Sequence, residues 1–320
     1  MCIRDRYKVF IDGHIGTTGL LIQSRLEKRS DIELLTVAEV DRKAVRVKKE
    51  IMSSADVVIL CLPDDAARES FKNGADSTRF IDASSAHRVD PRWVYGLPEL
   101  KHGQRQAIRD AHRVTNPGCW ATGFITLIAP LISEGILSKE SRLTSNGVSG
   151  YSGGGKGLID RYETRRLSHP AELWHCRPYS LGLTHKHIPE MVFYSELNVE
   201  PIFQPSVGHY HHGMLVSVPL FSEQLNKRSR SMDDIYRCLN QRYQTESCIT
   251  VHHPNDETTL DKGFIDPQKN NKTNKLDIYI FGRKDQILLI SVLDNLGKGA
   301  SGAAVQNLNL MLGLPELSGL

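Results

Sequence analysis

The sequence predicts an α/β protein in two parts, a doubly wound parallel sheet followed by an α+β domain. Three observations carry this reading. Apolar strand-like runs alternate with helical runs from Tyr7 to Thr115, a glycine-rich turn (GHIGTTG) joins the first strand to the first helix, and after Cys119 the rhythm changes to strand-like runs with few helices. At 320 residues the chain also exceeds the length at which a single core stops growing, which calls for two domains.

Residues 7–11 read as a buried strand, 20–28 as a helix and 32–37 as a second strand. Residues 44–53 read as a helix, since lysines and arginines interleave with Val45, Val47 and Ile51. The run DVVILCL at 56–62 is almost wholly apolar, as expected of a central parallel strand covered on both faces. Pro63, Asp64 and Asp65 end it and start a helix through Asn73. A short strand follows at 79–82. The β-branched pair Val114 and Thr115 precedes Cys119, and an apolar helical stretch follows at 124–137. Beyond it, 142–149 reads as a strand, and the glycines crowded at 150–157 read as a loop that shapes a substrate pocket with Ser149 at its mouth, with a flexible turn as the alternative. Strand-like runs then dominate at 202–207, 214–219, 249–252, 276–281 and 286–293, around one helix at 232–243. The polar segment 269–275 is a loop, and the tail returns to helix at 300–312.

A formal charge of +3 gives no footprint for nucleic acid or an acidic membrane, and no apolar run reaches the ~18 residues of a membrane helix. Cys2, Cys61, Cys119, Cys176, Cys238 and Cys248 are scattered without a C-x-x-C pair, which fits free thiols and a cytoplasmic protein. The opening MCIRDR has no apolar stretch behind it, so it is no signal peptide; it fits no element and reads as a cloning or gene-call remnant.

Cys119 is the most informative residue. In VTNPGCWATG it falls on a strand-to-helix turn, where unpaired N–H groups and the positive end of the helix dipole favour thiolate, the nucleophilic form. The same N–H groups suit the oxyanion formed when a thiolate attacks an acyl carbon. The competing reading is a small buried cysteine. Gly13, Gly16 and Gly19 form the other signal. Glycine allows close approach of backbone to a phosphate at a helix N-terminus, although the spacing is G-x-x-G-x-x-G rather than G-x-G-x-x-G, and a plain tight turn is the alternative. Glu39 and Asp41 are candidates for a ribose hydroxyl; Arg42 and Lys43 suit a 2′-phosphate and favour NADP over NAD.

GYSGGGKG at 150–157 nearly matches a P-loop, but Gly157 replaces the hydroxyl residue that would hold magnesium and the loop lies outside the βαβ region, so a triphosphatase is not read here. His185, His187 and Glu190 stand close together, with both histidines expected on one face of extended backbone. A histidine completes a thiol-based site. The same H-x-H with a carboxylate suits zinc, but no third strong ligand accompanies it and no metal is assigned. His209, His211, His212, His252 and His253 read as surface or interface residues.

Taken together, FIDGHIGTTGLLIQSRL, TNPGCWATG, VSGYSGGGK, LTHKHIPEM and DNLGKGASGAAVQNLNLML, in this order over residues 10–312, resemble the N-acetyl-γ-glutamyl-phosphate reductases of arginine biosynthesis, in particular their short form. The resemblance implies a Rossmann-type NADP-binding domain (1–117 with 298–320) completed by the C-terminal helix, and a semialdehyde dehydrogenase-like substrate and dimerisation domain (118–297). It implies NADPH-dependent reduction of an acyl phosphate through a Cys119 thioester, with His185 as acid/base. Arg88 and Asn116 would hold the phosphoryl group, and Ser149, Tyr179, His187 and Glu190 the substrate. Gly13, Gly16, Thr17, Thr18, Gly19, Ser84 and Asn295 would bind the cofactor. A homodimer or homotetramer is implied, with no metal, nucleic acid or membrane partner. Three positions depart from the family pattern: Trp120 stands where tyrosine is usual, Ala121 where proline or alanine is common, and His87 in place of an aromatic. A related dehydrogenase acting on aspartyl phosphate or a carrier-linked acyl phosphate, and a non-catalytic NADP-binding thiol sensor, are the alternatives.

Overall fold

The computed structural model describes residues 6–38, 40, 44–75, 77–227 and 231–320. The chain divides into two compact units, Met1–Pro117 with Ala300–Leu320, and Gly118–Gly299.

The first unit is a six-stranded parallel sheet with helices. In chain order it contains β1 (Tyr7–Asp12), α1 (Thr17–Leu26), β2 (Ile32–Leu35), α2 (Val45–Ser54), β3 (Val57–Leu60), α3 (Asp64–Asn73), β4 (Phe80–Asp82), β5 (Val94–Tyr95), α4 (Gln104–Asp110) and β6 (Arg113–Thr115). The strand order is β2-β1-β3-β4-β6-β5, and every pairing is parallel. All four residues of β3 are fully buried, as its unbroken apolar sequence requires. The chain leaves β1 toward β2 on one side and returns to β3 on the other, so the crevice at the carboxyl ends of β1 and β3 is the topological switch point. A buried ion pair ties this end together. Asp12, the last residue of β1, takes Lys48 of α2 at 2.8 Å and the Ser70 hydroxyl of α3 at 2.6 Å. The final helix, Gly302–Leu312, is buried through Met311, and its Ala304, Val305 and Leu308 share a core with Ile11, Ile22, Ile59 and Val114. It completes this unit, as the resemblance implied.

The second unit contains α5 (Cys119–Ser133), β7 (Thr144–Gly150), α6 (Gly155–Ser168), β8 (Cys176–Pro178), α7 (Ile188–Ser195), β9 (Ile202–Gly208), β10 (Met214–Phe221), α8 (Met232–Tyr243), β11 (Ile249–Val251), β12 (Leu276–Arg283) and β13 (Gln286–Leu293). Its seven-stranded sheet runs β11-β12-β13-β10-β7-β9-β8, antiparallel except for β7–β9 and β11–β12.

Several elements differ from the sequence reading. α5 starts at Cys119 itself, because Trp120 to Gly123 are all buried and extend the packed face N-terminally; it ends at Ser133, three residues after Pro130. The segment read as a glycine loop forms a short 3₁₀ turn and then α6, a polar helix with only Tyr162 buried, so it lacks an apolar period to read. β5, α4, β8 and α7 are too short to stand out in the sequence. Among the described residues no helix is long and apolar enough to cross a membrane. Glu39, Asp41, Arg42 and Lys43, and Met1 to Asp5, lie outside the described residues.

Candidate active site

In the first unit, the β1–α1 loop has the form a dinucleotide phosphate needs. Gly13 adopts φ +96°, and a Cβ there would stand 2.4 Å from the Cys61 carbonyl oxygen at the end of β3. A Cβ on Gly19 would stand 2.5 Å from the Gly13 carbonyl oxygen, whereas one on Gly16 would meet nothing closer than 3.6 Å. Gly13 therefore lets the loop press onto the end of β3, Gly19 lets the first turn of α1 press onto the loop, and Gly16 caps α1 without a side-chain hydrogen bond. The first-turn amides of Thr17, Thr18 and Gly19 have no side chain capping them and no acidic neighbour in that turn, which fits an anion. Beneath the loop, Cys61 is an inert thiol: burial, with Asp82 and Asp12 nearby, pushes its pKa up to about 12.

The turn after β4 is closed by its own side chains. Asp82 accepts the Ser84 amide at 2.9 Å, the Ser84 hydroxyl at 2.8 Å and His87 Nδ1 at 2.6 Å, and the Ala86 amide donates back to Ser84 Oγ. His87 stacks on Trp93 with ring centroids 4.4 Å apart. The Ser84 hydroxyl is thus engaged both as donor and as acceptor within the turn, and its backbone N–H is taken by Asp82. Arg88 is not a surface cation: it is buried, and its Nη2 donates to the Ala83 carbonyl. Asn116 is buried too, but its amide donates to the Ala300 carbonyl and accepts from Asn307, which makes it a brace between β6 and the final helix.

In the second unit, Cys119 heads α5 and is half-buried. Gly118, the N-cap, has extended backbone and offers no side chain. Its N–H donates at 2.9 Å to Glu190 Oε2, a buried carboxylate in the first turn of α7. Thr122 returns N–H and hydroxyl to the Gly118 carbonyl, which pins the turn from the other side. Gly299 completes the seat: a Cβ there would lie 2.7 Å from Cys119 Cβ.

A hydrogen-bonded row stands beside the thiol's helix. Trp120 Nε1–H donates to the Tyr179 hydroxyl at 2.9 Å, and His185 Nε2 lies 3.3 Å from the same oxygen. The His187 amide N–H donates to His185 Nδ1 at 3.1 Å, so a neutral His185 ring carries its proton on Nε2. His185 and His187 do not share the face of a strand. The backbone turns between them into α7, with Pro189 in its first turn, and the two rings meet edge-on with centroids 4.7 Å apart. Desolvation, and after it the charge of a Cys119 thiolate, push the Tyr179 phenol well above its ordinary range.

Other predicted residues sit elsewhere in this unit. Ser149 is the penultimate residue of β7, buried, with its hydroxyl on the Gly150 carbonyl. Asn295 is a brace: its oxygen accepts the Gly213 amide and its nitrogen donates to Ser152 Oγ. The P-loop look-alike packs on the 209–213 turn, where Tyr151 and Ser152 donate their amides to the Tyr210 and His211 carbonyls. His209 and His211 are half-buried ring partners of Tyr151, and His252 stacks on Tyr279, so these are not open surface residues. Among the described residues no three His, Cys, Asp or Glu side chains are grouped to hold a metal ion. Sequence reasoning missed Gly299, the Trp120 N–H and the Asp82–His87 pair. Gly299 against Cys119 and Trp120 against Tyr179 are contacts between distant segments, which only the glycine pair in DNLGKGAS hinted at, whereas Asp82 and His87 lie five residues apart in one turn.

Two family models match this chain. The description "Semialdehyde dehydrogenase, NAD binding domain" covers residues 9–111, and "Semialdehyde dehydrogenase, dimerisation domain" covers residues 119–295. A nucleotide-type glycine loop in one unit and a helix-heading thiol in the other are thus those of the semialdehyde dehydrogenase class. The architecture agrees with solved structures of aspartate semialdehyde dehydrogenase II from Vibrio cholerae (TM-score 0.72, 15% identity, 96% of this chain and 99% of that one) and aspartate semialdehyde dehydrogenase from Francisella tularensis (0.71, 16%, 96% and 100%). Among curated proteins, N-acetyl-gamma-glutamyl-phosphate reductase 2 of Nostoc sp. is 46% identical over 319 residues, covering 98% of this chain and 99% of its own length. The Brucella ovis N-acetyl-gamma-glutamyl-phosphate reductase is 44% identical over 311 residues, covering 96% and 99%. The chain belongs to the N-acetyl-gamma-glutamyl-phosphate reductase family.

Proposed function

We propose that this protein reduces N-acetyl-γ-glutamyl phosphate to N-acetylglutamate γ-semialdehyde with NADPH, releasing phosphate. The observation that carries the reading is Cys119 at the uncapped start of α5, beside the Trp120–Tyr179–His185 row. The thiolate attacks the acyl carbon; the C–S bond forms, the C–O bond to phosphate breaks, and phosphate leaves with the electron pair. Because Glu190 already takes the Gly118 N–H, the oxyanion's donors come from the amides that follow, beginning with Cys119 itself. When bound, NADPH supplies the hydride that turns the Cys119 thioester into a thiohemiacetal. His185, with its proton on Nε2 and facing the Tyr179 oxygen at 3.3 Å, supplies the oxyanion's proton through the Tyr179 hydroxyl, a contribution of ~10²–10⁴-fold for a positioned acid. On collapse of the thiohemiacetal the hydroxyl proton passes back to His185, the C–S bond breaks with its electron pair on sulfur, and the thiolate and the free aldehyde result.

Within this reading Arg88 is the phosphoryl-binding cation, its planar fork suited to that group. His187 and Glu190 position the substrate through the turn they share with His185 and through Gly118, and Ser149 lines the substrate side of β7. Asn116 and Asn295 act as braces. The glycine loop takes the NADP pyrophosphate through Gly16 and the amides of Thr17, Thr18 and Gly19, and Arg42 and Lys43 favour NADP over NAD. The dimerisation-domain match supports a homodimer or homotetramer, and free scattered thiols support a cytoplasmic setting.

The test is the reverse reaction: N-acetylglutamate semialdehyde, phosphate and NADP⁺, followed by absorbance of the reduced cofactor. Wild type should show phosphate-dependent turnover, and Cys119→Ser should lose nearly all of it while still binding NADP⁺. A folded wild type with no such signal refutes the proposal. Turnover no better than with aspartate semialdehyde assigns the acyl group differently.

A further inference from the structure

We propose that Trp120 is a positioning residue for the reduction: it holds the Tyr179 hydroxyl with its proton directed at the acyl group carried on Cys119. The inference rests on the reading of Cys119 as the acyl carrier. It follows from a count of donors and acceptors. An indole N–H can only donate, and it does so to the Tyr179 oxygen at 2.9 Å. His185, with Nδ1 taken by the His187 amide, has its Nε2 proton 3.3 Å from the same oxygen. A phenol oxygen has two acceptor positions and one proton. With both acceptor positions filled by N–H donors, the O–H is left to donate outward.

Two further observations support this arrangement. The phenol is held far from ionisation, by desolvation and then by the charge of a Cys119 thiolate, so the donor persists through the neutral range and lies within electrostatic reach of Sγ. The indole is itself fixed: Trp120 is 3% exposed and packs edge-on against Phe203 of β9, with ring centroids 5.4 Å apart. The direction of its N–H is therefore set by the packing of α5, not by a rotor. Removing that N–H leaves one acceptor position of Tyr179 open and lets the hydroxyl turn.

The experiment is a double-mutant cycle read in kcat of the reverse assay, with thermal midpoints and alkylation of Cys119 measured alongside. Trp120→Phe should lower kcat about 3- to 10-fold, the effect of one net hydrogen bond, with little change in KM and an unchanged rate of Cys119 alkylation. Tyr179→Phe should lose at least as much, and the double variant should be no slower than Tyr179→Phe alone. Losses that multiply, a loss confined to KM, or an unchanged kcat in Trp120→Phe overturn the inference. If the smaller ring impairs folding, 3-benzothienylalanine at position 120 keeps the bicyclic shape without the N–H and is held to the same outcomes. A wild type without phosphate-dependent turnover overturns the acyl-reductase reading itself, and that result is recognisable before any variant is made.

Discussion

Gly299→Ala tests the seat of the nucleophile. An added Cβ would stand 2.7 Å from Cys119 Cβ, 3.3 Å from its Cα and 3.1 Å from the Asp294 carbonyl oxygen. Carbon atoms rest at about 3.5–4.0 Å, so the overlap is roughly 1 Å, and it falls on backbone and on the first atom of a side chain rather than on a flexible tip. Something must move, and the displacement falls on the start of α5, held by the Gly118 N–H on Glu190 and by the Thr122 N–H and hydroxyl on the Gly118 carbonyl. Overpacking of this kind costs about 1–3 kcal/mol. At roughly 2–4 °C per kcal/mol for a domain of this size, the midpoint should fall by ~2–12 °C. Displacing a reacting atom by about 1 Å costs on the order of 10²-fold in rate, so kcat should fall far more than stability implies. Gly157→Ala is the control, because a Cβ there meets nothing within 4 Å; it should leave kcat unchanged. The assay is phosphate-dependent NADP⁺ reduction with calorimetry on the same samples. A Gly299→Ala enzyme indistinguishable from wild type in both kcat and midpoint would show that Gly299 does not set the position of Cys119.

Thiol alkylation should discriminate among the cysteines. Burial pushes Cys61 and Cys238 up to about 12. Near pH 7.5 a thiol of that pKa is only about 10⁻⁴ to 10⁻⁵ ionised, so both should stay unlabelled in the native protein. Cys119 should be modified in step with loss of activity; peptide mapping that finds Cys61 labelled before Cys119 contradicts the assignment. Acid stability supplies the other prediction. Burial raises the Asp277 carboxyl, but His252 at 3.5 Å and Lys269 at 3.3 Å outweigh it, and the net shift is downward. Its stabilising contribution is therefore present above the ordinary value near 3.8 and is lost as pH falls through the lower folded value. Asp277→Asn should be less stable than wild type at pH 6, by about 1–3 kcal/mol for partners left unpaired, and the gap should narrow toward pH 3. Urea midpoints across that range check it, and a constant gap would assign the loss to packing instead.

Much of the first unit was legible because its signals are local. The apolar run of β3, the prolyl start of α3 and the glycine turn after β1 each report their own conformation through residues a few positions apart. β13 and α8 were readable to the residue for the same reason. α6 was not, because a polar helix with one buried residue carries no period. The candidate site divides in the same way. Cys119 announces itself through the strand before it and the helix after it. The roles of Asn116 and Asn295 did not, since an amide that binds a ligand and one that braces two loops look alike in sequence.

What the sequence alone determined was the alternation of strands and helices at the start of the chain, the place of the thiol at a helix start and the tight glycine turn after β1, all set by backbone preferences over short spans. Which groups face that thiol was decided only by tertiary packing. Trp120 meets Tyr179 across 59 residues and Gly118 meets Glu190 across 72. Hydrogen bonds over such separations depend on how α5, α7 and the strands beneath them pack, and no pattern of neighbours along the chain encodes that geometry.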